Sequence, residues 1–294
     1  MKKHAYLIMA HNQFEILEKL IELLDHERND IYIHIDKKSK NFHKEDFFNI
    51  CQKSQVYWVN RMATYWGDSS LVECELLLIK AMLDSGEEYD YVHLLSGVDL
   101  PIKSTPDILN FFDNHPNKQF IAIGNANNGV KGLYRYHYFM KLRAYNKYLA
   151  KGLDIISLNI QKLLRINRLK NTNMYFCKSQ QWFSITHDCA KYVYSQKNLI
   201  KKLVKFSSCS DEMFLGTVIV NSKYKEEIFH PYPSLDGHMR YIDRIRNEGA
   251  SPHTITMDDY DTLMNSPFLF ARKFDLNKDR EVIDKIYNQL ININ

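Results

Sequence analysis

Two short strings carry charges in an order that suits group transfer. "SDEM" at 210–213 sets Asp211 beside Glu212, and "FARKF" at 270–274 sets Arg272 and Lys273 between two phenylalanines. A carboxylate can take the proton of an attacking hydroxyl. A guanidinium can hold phosphate oxygens in pairs and an ammonium adds a point charge, so the couple can neutralise a departing diphosphate. Taken alone, Ser-Asp-Glu is equally a helix cap with first-turn acids, and an Arg–Lys couple is equally ordinary surface. Asp259 and Asp261 in "TMDDYDTL" have the Asp-x-Asp spacing of a divalent-metal site. They stand where a helix should begin and read as first-turn acids, so no metal ligand is assigned.

Four further polar clusters each follow an apolar run: "AHNQ" (10–13), "HIDKKS" (34–39), "YWGDSS" (65–70) and "SGVDLPIKS" (96–104). The runs before them read as strands, and amphipathic segments lie between them. "AYLIMA", "IYIHI", "QVYWV", "YDYVHLL" and "QFIAI" have the strand composition. "FEILEKLIELL" gathers Phe14, Leu17, Leu20, Ile21 and Leu24 on one helical face. A polar helix is expected around 44–52. Ser69 or Ser70 should cap the helix "LVECELLLIKAML", and Pro106 should open another. Strands alternating with helices predict an α/β fold: a Rossmann-like, mainly parallel sheet with flanking helices. In such sheets ligands bind at the carboxyl ends of the strands, so the clusters can meet in one crevice. Neither G-x-G-x-x-G nor the P-loop string occurs, so a nucleotide would be held by other means.

The 294 residues carry a net charge of +4, unevenly spread. Residues 131–170 hold ten Lys/Arg against one acid, Asp154, and Tyr134, Tyr136, Tyr138, Tyr145 and Tyr148 interleave with them. Such a stretch suits phosphates of a lipid surface or nucleotide, and a solvated helical face has the same composition. No nucleic-acid motif accompanies it, so no nucleic-acid partner is expected. The five cysteines form no C-x-x-C pair and read as reduced thiols. No apolar run reaches the roughly 18 residues of a membrane span. The apolar stretch after Lys2 and Lys3 is too short for a signal segment. The expectation is a cytoplasmic protein, with peripheral contact at the inner face of the cell membrane through the basic segment.

In their order, "HIDKKS", "YWGDSSLV", "LLSGVDLPIKS", "SQQWFSIT", "SDEMFL" and "FLFARKFD" resemble the core-2/I-branching β-1,6-N-acetylglucosaminyltransferase family, which includes the peptide O-xylosyltransferases. The resemblance spans nearly the whole chain, and "FARKF" is similar to the xylosyltransferase branch. It implies a GT-A-type fold in a single domain, 1–294. Residues 1–125 would bind the nucleotide sugar, and residues 126–294 would serve the acceptor and catalysis. It also implies inverting, metal-independent transfer from a UDP-sugar, with GlcNAc favoured and xylose the alternative. The UDP-sugar is a substrate, and no cofactor is implied. The acceptor would be a carbohydrate or lipid-linked glycan, in surface glycan or polysaccharide biosynthesis.

Residue by residue, the resemblance makes Glu212 the base and gives Arg272 and Lys273 to the diphosphate. A further arginine upstream is expected to assist, with Arg240 and Arg246 as candidates. His11 and Asp36 fall where the family holds uracil and ribose. Trp66, Gly67, Ser96, Gly97 and Asp99 fall near sugar and phosphates, and Gln181 and Trp182 near the acceptor. Eukaryotic members carry a signal anchor and many disulfides, which this sequence lacks, so a bacterial-type member is expected. The competing reading is a non-catalytic sugar or polyanion binder on the same fold, which would have no use for a base.

Overall fold

The computed structural model describes residues 3–126, 130–170, 172–230, 233–249 and 251–293. The first part runs β1 (Lys3–Ala10), α1 (Phe14–Leu23), β2 (Asn29–Ile35), β3 (Gln55–Val59), α2 (Ser70–Asp84), β4 (Tyr89–Ser96), β5 (Leu100–Pro101), α3 (Thr105–Asp113) and β6 (Phe120–Ala126). After it come α4 (Lys131–Tyr134), α5 (Lys147–Leu163), β7 (Cys177–Thr186), α6 (His187–Ser195), α7 (Lys197–Val204) and α8 (Phe214–Val220). The chain ends with β8 (Arg240–Ile242), α9 (Tyr260–Met264), β9 (Phe270–Arg272) and α10 (Arg280–Ile291).

The main sheet has the order β3-β2-β1-β4-β7-β6. Its first four strands are parallel, as the alternating pattern predicts. β7 enters antiparallel between β4 and β6, so β6 is not β4's neighbour. Strands covered on both faces read as unbroken apolar runs. In β1, Tyr6, Ile8 and Ala10 join the core under α1, α3 and α10. Ala5 and Leu7 join the opposite core, under α2, α6 and α8. A small sheet, β5-β9-β8, clasps the loop after β4.

Local details depart from expectation in two places. Residues 44–52 hold only a 3-10 turn, Lys44–Phe47, because the segment has one buried apolar anchor, Phe47. Ser69 takes the N-cap position of α2, as expected, but its side chain makes no cap bond; Asp68 Oδ1 instead accepts from Ser70 N–H at 2.9 Å, and Ser70 Oγ accepts from Tyr65 N–H at 3.0 Å. An aspartate two residues ahead forms this local turn readily. Asp259 does sit in a first turn, in a capping box with Thr256. All five cysteines are free. Among the described residues no helix is long and apolar enough to cross a membrane.

α5 has its polarity inverted. Its inward face is Ala150, Asp154 and Gln161. Asp154 pairs with Arg143 at 2.8 Å, and Gln161 bonds both the N–H and C=O of Tyr136. Tyr148, Leu149, Ile155, Ile156, Ile160 and Leu163 are each more than half exposed. An amphipathic helix normally faces the core with its apolar side.

Gly97 fixes the end of β4 against β1. Its N–H donates to Met9 C=O at 2.9 Å, and a Cβ placed there would stand 2.6 Å from Ala10 Cβ. Neither strand end can retreat without breaking the ladder. Gly97→Ala is therefore expected to destabilise the fold by about 1–3 kcal/mol, the range for overpacked cores. Urea unfolding checks this: the midpoint falls while the slope stays unchanged.

Candidate active site

A cleft of about 690 Å3 opens where β1, β2 and β4 end. β7 reaches the same edge through its first half, since Ser184 pairs with His93 and the preceding residues run past the end of β4. Of the residues singled out in the sequence, His11, Asp36, Trp66, Ser96, Gln181, Trp182, Glu212, Arg272 and Lys273 line this one cleft. Gly67, Gly97 and Asp99 do not. Gly67, at φ 71°, turns the chain and accepts from Cys209 N–H at 2.7 Å. Asp99 lies beneath the cleft wall.

Asp99 is fully buried and accepts from Ser96 N–H at 2.9 Å. Its Oδ1 stands 3.4 Å from Arg272 Nη1. Burial raises its carboxyl above the ordinary range, and the Arg272 charge works against that rise. The Arg272 guanidinium lies 3.9 Å from the centre of the Trp182 ring, a cation–π contact in a largely desolvated place. Burial lowers its pKa and Asp99 opposes the change. Its Nη1 is buried toward Asp99, and the guanidinium makes no hydrogen bond among the described residues. Trp182 is 8% exposed and covered by Arg272, which limits the ring face it offers to an acceptor.

Neither upstream arginine named from the sequence lines the cleft. Arg240 is buried beneath the sheet and donates to Ser184 Oγ at 2.9 Å and Phe183 C=O at 2.5 Å. Arg246 is held by Asp243 at 2.6 Å and Asp259 at 2.5 Å. Arg244, between them, does line the cleft, with Arg272 and Lys273. Its hydrogen bond is a long one, 3.4 Å to His238. Burial lowers its pKa, while Asp236 and Glu212 oppose. No sequence signal singled out Arg244: it lies two residues past the end of the three-residue strand β8.

The cleft also carries carboxyl groups. Glu212 is 40% exposed in its side chain and pairs with Lys178 Nζ at 3.4 Å. Its neighbour Asp211 is buried, and burial together with the Glu212 charge pushes its carboxyl up to about 7. Glu75 of α2, wholly buried, accepts from Gln181 Nε2 at 3.1 Å. Burial and the Asp211 charge raise its pKa far above the carboxylate range. Half-exposed Glu212 thus stands beside two buried carboxyls, Asp211 and Glu75, that burial favours in the neutral form, a separation of environments found where acid and base roles are divided. Lys178 and Glu75 belonged to no motif. Gln181 is bonded to Glu75, so its amide orientation is set from inside the protein.

The nucleotide-side candidates are held by local bonds. Asp36 accepts from Thr64 Oγ1 at 2.7 Å and Lys38 N–H at 2.8 Å. Burial alone would raise its pKa, but these bonds and the Lys38 charge leave it lowered. Trp66 is 64% exposed at the cleft wall, an open aromatic face. Away from the cleft, ligand atoms of His4, Asp90 and Asp113 come within 4.8 Å of one another. Arg28 pairs with both aspartates there, at 3.9 and 2.8 Å, and supplies the positive charge itself.

The buried carboxyls set a pH dependence. The folded state holds protons on Asp211 and Glu75 that the unfolded chain releases at about pH 4. Stability therefore falls as pH rises from there through about 7. Asp211→Asn should leave Tm near wild type at pH 5 and raise it at pH 8 by the equivalent of about 1 kcal/mol or more. A thermal melt series across that range checks the sign.

The family described as Core-2/I-Branching enzyme matches residues 4–261. Xylosyltransferase 2 of Rattus norvegicus is 24% identical over 310 residues, covering 95% of this chain and 33% of that protein. Xylosyltransferase 1 of Homo sapiens is 23% identical over 313 residues, covering 96% and 30%. The chain spans about a third of the length of the curated relatives it matches. Among solved structures, apo mouse Xyloside xylosyltransferase 1 aligns with a TM-score of 0.36 at 12% identity, over 78% of this chain and 84% of that one. The apo-form glycosyltransferase GlyE of Streptococcus pneumoniae TIGR4 aligns with a TM-score of 0.44 at 9% identity, over 99% and 63%.

Proposed function

Because this chain belongs to the Core-2/I-branching enzyme family, a family of glycosyltransferases, we propose that it transfers a sugar with inversion from a UDP-sugar to a carbohydrate hydroxyl. GlcNAc is the favoured sugar and xylose the alternative, on a GT-A-type fold, in the building of a surface glycan or polysaccharide. The observation that carries this reading is the shared cleft, lined by Glu212 together with Arg244, Arg272 and Lys273.

The acceptor hydroxyl gives its proton to the Glu212 carboxylate as its oxygen attacks the anomeric carbon. The bond from that carbon to the diphosphate breaks, and the electron pair leaves on the UDP oxygen. Arg272, Lys273 and Arg244 neutralise the charge that develops there, the part a divalent metal plays in other transferases, so turnover needs no metal. His11 and Asp36 serve the uridine, while Trp66 and Ser96 line the sugar's place. Gln181 and Trp182 lie toward the acceptor. Residues 1–125 thus hold the donor, and residues 126–294 supply the base and cations.

The pairing of Glu212 with Lys178 favours one other reading, a non-catalytic sugar or polyanion binder whose carboxylate is tied up. One comparison separates them. Glu212→Gln should lower kcat by roughly 100-fold or more with UDP affinity nearly unchanged. Lys273→Ala should weaken UDP binding as well as turnover, and wild-type activity should survive EDTA. Turnover in Glu212→Gln equal to wild type removes the base, and loss of activity in EDTA restored by manganese removes the cation account.

A lipid-linked acceptor brings the enzyme to a bilayer, and α5 suits that contact. Its exposed Tyr148, Leu149, Ile156 and Ile160 are flanked by Lys147, Lys151, Lys162 and Arg165. Apolar side chains entering the headgroup boundary, with basic residues toward anionic lipid, describe an interfacial helix. Each basic residue near the surface contributes on the order of 1 kcal/mol. We expect co-sedimentation with phosphatidylserine vesicles at low salt, weakened but not abolished by high salt. Ile156→Glu with Ile160→Glu should remove the residual binding and spare transfer to a soluble acceptor. Wild-type protein that stays in the supernatant at low salt overturns the contact.

A further inference from the structure

We propose that the acceptor glycan carries an anionic group, phosphate, diphosphate or carboxylate, and that a second pocket beside Glu212 reads it. This rests on the glycosyl-transfer reading above. The pocket, about 490 Å3, lies between the segment after β6, α5 and the turn that carries Glu212. Glu212 and Lys178 line both this pocket and the larger cleft, so the carboxylate stands at the boundary between them. A hydroxyl offered from the second pocket would meet the base on its way to a donor sugar in the first.

The charge of the second pocket is one-sided. Lys131, Arg135, Lys162 and Lys178 line it, and Glu212 is the only acid among its lining residues. Lys178 is partnered by Glu212. Lys131, Arg135 and Lys162 have no acidic partner within 4.0 Å among the described residues. Neighbouring cations of the same basic segment are satisfied elsewhere: Arg143 by Asp154, and Arg168 by Leu203 C=O at 2.9 Å and the Tyr136 ring at 4.6 Å. Lys147, Lys151, Arg165 and Lys170 of the segment also lack an acidic partner among the described residues, but they do not line the pocket, where Lys131, Arg135 and Lys162 are brought together. Two buried polar atoms in its wall, Arg135 Nε and His137 Nδ1, also lack a hydrogen-bond partner.

The wall is built into the fold. Gly132 C=O accepts from Ser208 N–H at 3.2 Å, and a Cβ on Gly132 would come within 2.0 Å of Ser208 C=O. That contact ties the basic segment to the turn leading to Glu212. A neutral sugar would leave these three cations without a counter-charge. An anionic oxygen cluster would satisfy them with charge-assisted hydrogen bonds.

The test separates this proposal from the transfer reading by measuring binding apart from turnover. Protein saturated with UDP is titrated calorimetrically with GlcNAc 1-phosphate, with glucuronic acid and with neutral GlcNAc. The anionic probes are expected to bind at least about tenfold more tightly than the neutral one, and to weaken as salt rises. Lys162→Gln, and separately Arg135→Gln, should erase most of that preference while leaving UDP affinity unchanged. The exposed Lys162 keeps the test valid if Arg135→Gln fails to fold. A short-chain lipid diphosphate sugar, compared with the soluble phosphate, tells lipid-borne from free anion. Equal binding of neutral and anionic probes by wild type, or a preference that survives Lys162→Gln, overturns the proposal. Failure of the transfer reading alone would show instead as absent UDP-sugar hydrolysis with the anion preference intact.

Discussion

A half-buried guanidinium facing a buried carboxylate sets the geometry of the cleft. Taking both charges out of water is expensive, and removing either partner strands the other at several kcal/mol. The fold therefore has to bring Asp99 and Arg272 together, and the small sheet does so. Leu100 of β5 pairs with Ala271 of β9, and Phe274 N–H donates to Val98 C=O at 3.0 Å. Chain segments some 170 positions apart are locked in register at the point where the main sheet ends. Trp182 completes the arrangement from a third element, β7, by covering the guanidinium face. Arg272 is oriented before any ligand arrives, so an anion binding there need not immobilise a flexible side chain.

The same pair divides the cleft electrostatically. Asp99 compensates Arg272 from below, while no acid pairs with Arg244 within 4.0 Å among the described residues. Glu212 has its own cation, Lys178, at 3.4 Å. Asp211 and Glu75 relieve the crowding of three acids by holding protons. Had all three been ionised, repulsion in a desolvated place would have opened the packing between α2 and the 210–212 turn.

The parallel half of the sheet was legible because strands buried on both faces have continuous apolar runs, and β1, β2 and β4 end directly at the polar clusters. β7 was harder to place. "CKSQQWFSIT" mixes polar and apolar residues, and nothing local tells a chain to enter antiparallel between two earlier strands. Nine of the residues chosen from motifs line one cleft, because motif residues tend to sit where strands stop. The sequence named Arg240 and Arg246 but not Arg244, the arginine of this stretch that lines the cleft. β8 is only three residues long, too short to announce its alternation. Glu75 was hidden in the same way: in "ECELLLIK" it reads as one more acid on an amphipathic helix, and its burial comes from β7 and the 210–212 turn packing over it.

The basic segment shows most clearly how composition underdetermines function. A surplus of lysine and arginine is compatible with a solvated helix, a membrane surface or a ligand pocket, and the structure gives its parts different surroundings. Arg143 and Arg168 are used up in holding the segment together. Lys131, Arg135 and Lys162 border a cavity that shares Glu212 with the larger cleft. Lys147 and Lys151 flank apolar side chains that no part of the described chain covers. α5 connects the last two settings, since Leu158, Asn159 and Lys162 form a pocket wall while Ile156 and Ile160 face outward. Its inversion follows from this double duty. A helix whose inner face must hold Asp154 and Gln161 against polar backbone and lend a lysine to a pocket has only its outer face left for isoleucine and leucine. Apolar area left in water is tolerated when it has a second surface to meet.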